Sequence, residues 1–98
     1  RMEHTLSDLG GAAFKDDHFF FHIALAGFLR ATASTIFAKN RQLEPSDRNL
    51  TRILLALPSL PEDFSGRWGM LTAVDGSLSP ERVYQVAQLV VRSMLAFE

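Results

Sequence analysis

Read for the alternation of apolar and polar positions, the chain is helical from end to end. From Ala12 to about Asn40 there is no proline, and Phe14, His18, Phe21, Leu25, Phe28, Thr32 and Ile36 recur three or four apart, the period of one helix face. Phe20, Ile23, Ala24, Gly27, Ala31 and Ala38 widen that stripe until only Lys15, Asp16, Asp17, Arg30, Ser34 and Lys39 are left as solvated positions. A helix apolar over most of its circumference belongs at the centre of a bundle, or has one side covered by another subunit. Ahead of it, Gly10 and Gly11 are expected to end a short leading helix or turn near Glu3 to Leu9, since glycine stops helices readily.

The remaining punctuation predicts three further helices. Pro45 disfavours helical geometry at Glu44, and Ser46 or Asp47 can cap a new start, so a second helix is expected from Asp47 to Leu57, buried through Leu50, Ile53, Leu54 and Leu57 and ended by Pro58. Ser59 and Glu62 have the spacing of a capping box, which places a third helix from Pro61 to Val74. Asp75-Gly76-Ser77 reads as a turn. Ser79-Pro80-Glu81 then supplies a cap, a proline at the first helical position and an acid at the positive dipole end. The last helix is expected to run to Phe97 on a stripe of Val83, Val86, Ala87, Val90, Met94 and Phe97. No period-2 segment with hairpin chemistry occurs. The expected fold is an all-α, antiparallel four-helix up-and-down bundle with a short extra N-terminal helix, residues 1–98 forming one domain.

Composition narrows the function classes. The 98 residues carry 10 Lys and Arg against 11 Asp and Glu, a balance that argues against a basic nucleic-acid module. With 47% hydrophobic residues and eight phenylalanines the chain is a packing sequence and not a disordered one. Cysteine is absent, which excludes disulfides, thiol nucleophiles and thiolate-bound zinc. The apolar run Phe19 to Leu29 is shorter than the ~20 residues of a spanning helix, and the N-terminus has no signal-peptide pattern, so a cytoplasmic, membrane-free protein is expected. The chain opens with Arg1, and reads either as a fragment of a longer polypeptide or as one starting at Met2.

Little in the chain is arranged for catalysis. His18 and His22 lie four apart on one helix face, a spacing that can present two imidazoles to a metal, but a third ligand would have to come from Asp17, His4 or another helix; the alternative is packing beside Phe14 and Phe21. No Arg stands four to six residues from a His as in small helical ribonucleases, and there is no nucleophile elbow, P-loop or dinucleotide turn. No catalytic residue, metal or cofactor is assigned. Trp68 and Tyr84 read as packing residues. The most unusual polar cluster is Lys39, Asn40 and Arg41, followed by Asp47, Arg48 and Arg52. A short turn would bring Asn40, Arg41 and Arg48 to one end of the bundle, where guanidinium groups and a helix N-terminus can hold phosphate or carboxylate. The competing explanation is that Lys39 and Arg41 complement the helix dipole and pair with Glu44 or Asp47.

The phrases Phe21 to Arg30, Ile36 to Arg41, Glu44 to Leu50 and Leu57 to Pro61 resemble the helical C-terminal domain of some bacterial nucleotidyltransferase-like proteins. Such domains are similar to HEPN domains and to the substrate-binding bundle of aminoglycoside-type nucleotidyltransferases. The positions that carry the likeness are Phe37, Ala38, Asn40, Arg41, Pro45 and Arg48. The resemblance implies a non-catalytic accessory domain, with Asn40, Arg41 and Arg48 meeting substrate and a catalytic nucleotidyltransferase domain in the same polypeptide as partner. The Gly-Ser turn with paired metal-binding acids of that catalytic domain is missing here; Gly76-Ser77 has no such acids after it. The alternative is a small interaction module that pairs with itself through Phe19, Phe20, Ile23 and Gly27.

Overall fold

The computed structural model describes residues 2–15, 17–73 and 78–97. Asp16 and the expected Asp75-Gly76-Ser77 turn lie outside the described residues. Five α-helices occur, α1 (Met2–Ala13), α2 (His18–Lys39), α3 (Leu50–Leu55), α4 (Phe64–Thr72) and α5 (Pro80–Leu95), with a 3₁₀ turn over Asp47–Asn49 leading into α3, and no strand is present among the described residues. The all-helical class is thus as the pattern implied.

The N-terminal helix is larger than expected and central. Gly10 and Gly11 do not end it; α1 continues to Ala13 and packs against both α2 and α5. Gly10 serves that packing, because a Cβ built there would lie 2.8 Å from the Tyr84 ring of α5. Leu9, Ala12 and Ala13 are buried in the contact. The chain must turn before α2 so that α1 can fold back, and Asp17 makes the new start: its carboxylate accepts a hydrogen bond from the Phe20 amide at 3.1 Å. Phe14 therefore lies outside α2, exposed and edge-on to Tyr84 at 6.0 Å between ring centres.

Along α2, Phe21, Phe28, Thr32 and Ile36 are buried as the spacing predicts. Thr32, buried and polar, donates its hydroxyl proton to the Phe28 carbonyl at 2.8 Å, which removes the desolvation cost of an unpaired hydroxyl. α3 is shorter than the expected Asp47 to Leu57. Its first turn tightens to 3₁₀, and its end comes before Leu57, whose helical geometry Pro58 disfavours.

α4 also starts later than expected, at Phe64 and not at Pro61. The Ser59 to Glu62 capping box is not used, because the Ser59 amide and carbonyl are taken by the Asn40 side chain. Asp63, in the left-handed region at φ 58°, redirects the chain into α4. The start of α5 is as expected, with Ser79 accepting from the Arg82 amide at 3.2 Å. Val83, Val86, Ala87, Val90 and Met94 are buried, whereas Leu95 at the helix end is not. α4 packs on α5 and α3 on α2. Trp68 of α4 is buried, tilted against Phe64 at 5.5 Å, with its indole N–H donated to the Thr51 hydroxyl at 3.2 Å.

Candidate functional site

The cluster singled out by sequence lies where α2 ends. Arg41 donates its amide to Ala38 O and Gln42 donates to Phe37 O, each at 3.0 Å, the pair of bonds that closes a Schellman motif. That closure requires a left-handed residue after the cap, a place usually taken by glycine. Here it is Arg41, at φ 57°. Asn40 is the cap itself. Its side-chain amide donates to Ile36 O at 2.9 Å and to Ser59 O at 2.8 Å, and its Oδ1 accepts from the Ser59 amide at 3.0 Å. Both ends of the Asn40 amide are thus engaged in tying the end of α2 to the α3–α4 connection.

The residues after Arg41 lie back along α2. The Ser34 hydroxyl donates to Glu44, and the Arg30 guanidinium donates to the Asp47 carboxylate at 2.8 Å. Each partner shifts the other: the hydrogen bond first, and its charge second, raise the Arg30 pKa and lower that of Asp47. The pairing of Lys39 and Arg41 with Glu44 or Asp47 is not what the structure shows, since those acids go to Ser34 and Arg30. Lys39 lies over the Phe97 ring at 5.7 Å from its centre. Arg41 and Arg48 are exposed, and neither side chain makes a hydrogen bond or ion pair among the described residues. Of the three expected ligand-binding residues, one is an internal clamp and two are solvated cations.

His18 and His22 are both exposed, and His22 stands edge-on to Phe21 at 6.0 Å. Among the described residues no group of three His, Asp or Glu side chains could hold a metal ion. A groove of about 480 Å³ opens between α2, α4 and the start of α5, walled by Phe21, Leu25, Leu29, Leu71 and Val83 and adjoining His22. Its walls are apolar apart from His22 and Thr72, so it offers shape but no set of groups for bond breaking.

The strongest surface feature is the face of α2 that the interaction-module alternative names through Phe19, Phe20, Ile23 and Gly27. Phe19 is 77% exposed, Ile23 53% and Phe20 43%, and Ala26 and Gly27 beside them are exposed too. Phe37 lies eighteen residues beyond Phe19, about five turns at 3.6 residues per turn, and so on the same side of the helix. Yet Phe37 is 1% exposed. The chain after Asn40 meets the C-terminal half of α2 through Glu44 on Ser34 and Asp47 on Arg30, and α3 packs on α2. By length and composition α2 is also apolar enough to cross a membrane, a property the run from Phe19 to Leu29 did not suggest, because the helix continues through Ala38 with Arg30 alone charged before Lys39; 33% of its most apolar window is buried within the protein. Compared with protein-family models, curated proteins and solved structures, the chain matches none.

Proposed function

We propose that this chain is a non-catalytic helical interaction module that works by burying the outer N-terminal half of α2 against another polypeptide in the cytoplasm. The observation that carries the reading is the contrast between Phe19 and Phe37, two phenylalanines on one side of one helix, of which the fold covers only the second. Soluble monomers rarely leave large apolar side chains contiguous on a helix, and such patches mark interaction sites. The absence of any charged residue between Asp17 and Arg30 supports a dry contact core. In this reading the helices form an antiparallel up-and-down bundle in which α2 is the outer wall. Benzoylphenylalanine placed at Ile23 in the full chain and activated in cells should give an adduct whose partner is identified by mass spectrometry, and Gln88, exposed on α5, should give none. No adduct from Ile23 overturns the reading.

A second reading, the accessory domain of a nucleotidyltransferase-like protein, is favoured by one specific observation. Arg41 holds a left-handed position that glycine would hold at lower cost, and strain retained at a charged, exposed residue is a mark of a functional role. In that reading Arg41 and Arg48 bind phosphate while Asn40 sets the turn that presents them. Calorimetric titration of ATP should then show binding that Arg41→Ala weakens about fivefold or more, as loss of a charge-assisted contact implies. Absent or unchanged heats remove the role.

A further inference from the structure

We infer that the polypeptide that covers α2 is a second copy of this chain, its α2 packed antiparallel on the first about a two-fold axis at Ile23. The inference rests on the interaction-module reading and specifies its partner.

Side-chain size falls along the bare face. Large residues come first, at Phe19 and Phe20, then Ile23, then the small Ala26 and Gly27. Two antiparallel helices related by a two-fold axis at residue 23 set each residue opposite one equally far beyond the axis, with 1.5 Å of rise per residue. Phe19 then meets Gly27 of the second copy, Phe20 meets Ala26, and Ile23 meets itself. Each phenylalanine faces a small residue, and only the two Ile23 side chains, at the axis, meet as equals. A Cβ at Gly27 would touch nothing within 4 Å in the single chain, so the space over Gly27 is open to receive a ring.

Charge agrees with this pairing. A two-fold contact sets like groups on either side of the axis, and a charge near the axis would repel its own copy. None occurs between Asp17 and Arg30, and Arg30, at the far end of the face, has its charge matched by Asp47 within its own chain. A foreign partner is normally selected by complementary charges around an apolar centre; this face carries no such signature.

Area sets the strength. At about 200 Å² per large apolar side chain, the exposed fractions of Phe19, Phe20 and Ile23 amount to roughly 350 Å² per copy and about 700 Å² per pair. With Ala26, Gly27, His22 and the stem of Arg30 added, the contact reaches the low end of specific interfaces, about 1,200 Å². Such a contact gives a reversible dimer with Kd in the micromolar range, about 1–100 μM.

Sedimentation velocity of the full chain from about 1 to 500 μM reads this directly, a range that spans the Kd expected for such an area. The expected result is a monomer–dimer equilibrium that Ile23→Asp weakens about 100-fold or more by burying a charge against its copy. Gly27→Leu should weaken it about tenfold by overfilling the place of Phe19, while leaving helicity intact because its side chain starts in open space. Adding Phe19→Ala to Gly27→Leu should restore most of the affinity, a size exchange that only this register predicts. A chain monomeric throughout, or a dimer indifferent to both single changes, overturns the inference. So does a monomer whose co-sedimentation with phosphatidylcholine–phosphatidylglycerol vesicles is abolished by Ile23→Asp, which assigns the face to a bilayer. A monomer whose Ile23 adduct proves to be a different polypeptide overturns the second copy alone; absence of adduct and of self-association removes the interaction module as well.

Discussion

Arg41→Gly should make the protein more stable although it deletes a charged side chain. A left-handed backbone costs a non-glycine residue about 1–2 kcal/mol, through the approach of Cβ to the carbonyl oxygen, and Arg41 sits there at φ 57° because the Gln42 and Arg41 amides must reach Phe37 O and Ala38 O. Glycine removes that cost. Against the gain stand the greater freedom of glycine in the unfolded chain, about 0.5–1 kcal/mol, and the loss of a cation at the negative end of the α2 dipole, ~0.3 kcal/mol for an exposed group. The balance is a stabilisation of about 0.5 kcal/mol, a rise in Tm of about 2–4 °C for a domain of this size. Thermal unfolding followed by circular dichroism at 222 nm measures it. Arg41→Ala, which keeps the backbone cost and loses the charge, should lower Tm slightly or leave it unchanged. A fall in Tm for Arg41→Gly, or an equal rise in both variants, refutes the strain argument.

Asn40→Ala removes three hydrogen bonds and should cost about 2 kcal/mol, a Tm fall of roughly 8–16 °C; Asn40→Asp should be worse, since a carboxylate would face the Ile36 and Ser59 carbonyl oxygens, and an unchanged Tm in either would show that the clamp is dispensable. Gly10→Ala drives a methyl into the Tyr84 ring and should destabilise by about 1–2 kcal/mol, whereas Gly11→Ala, next to it and in open space, should stabilise by about 0.5–1 kcal/mol; urea unfolding that moves both the same way contradicts the packing of α1 on α5. The Arg30 hydrogen bond and charge lower the Asp47 pKa, so the contribution of this pair is present above the unfolded carboxylate range, about pH 4, and is lost as pH falls through the lowered folded value. The Tm difference between wild type and Asp47→Asn should therefore be small, because the pair is exposed, constant from pH 5 to 7, and vanishing toward pH 2; a difference that grows on acidification would reverse the sign of the argument.

Where local chemistry decides, sequence and structure agree. Ser79-Pro80-Glu81 starts α5 because a hydroxyl cap and a proline without an N–H act within one turn and need no distant partner. The buried stripe of α5 followed from its 3.6-residue spacing for the same reason. The capping box at Ser59 and Glu62 failed where a remote group intervened: the Asn40 side chain, nineteen residues earlier, takes the Ser59 amide and carbonyl. Gly10 and Gly11 look like a helix end in the sequence, since a glycine demanded by close packing and one demanded by a turn are alike until the Tyr84 ring is in place. The candidate site divides in the same way. That Asn40 and Arg41 sit at a helix end is legible; that the Asn40 amide is spent on backbone, and that Arg48 stands solvated without an ion pair among the described residues, is not.

The sequence alone establishes that the chain is helical, where α2 ends and where α5 begins, and that α2 is too apolar to be content with one covered face. Phe19, Phe20, Ile23 and Gly27 already stand out in the sequence as a pairing face, but that they stay bare while Phe37 on the same side is buried is a property of the tertiary structure. Periodicity records the azimuth of a side chain, and Phe19 and Phe37 share that azimuth; which of them meets solvent is settled by packing beyond the helix, where the later chain is tied to the C-terminal half of α2 by Asn40 on Ser59, Glu44 on Ser34 and Asp47 on Arg30. Those are contacts between residues far apart in sequence, each weak alone, and their joint geometry has no signature in local spacing.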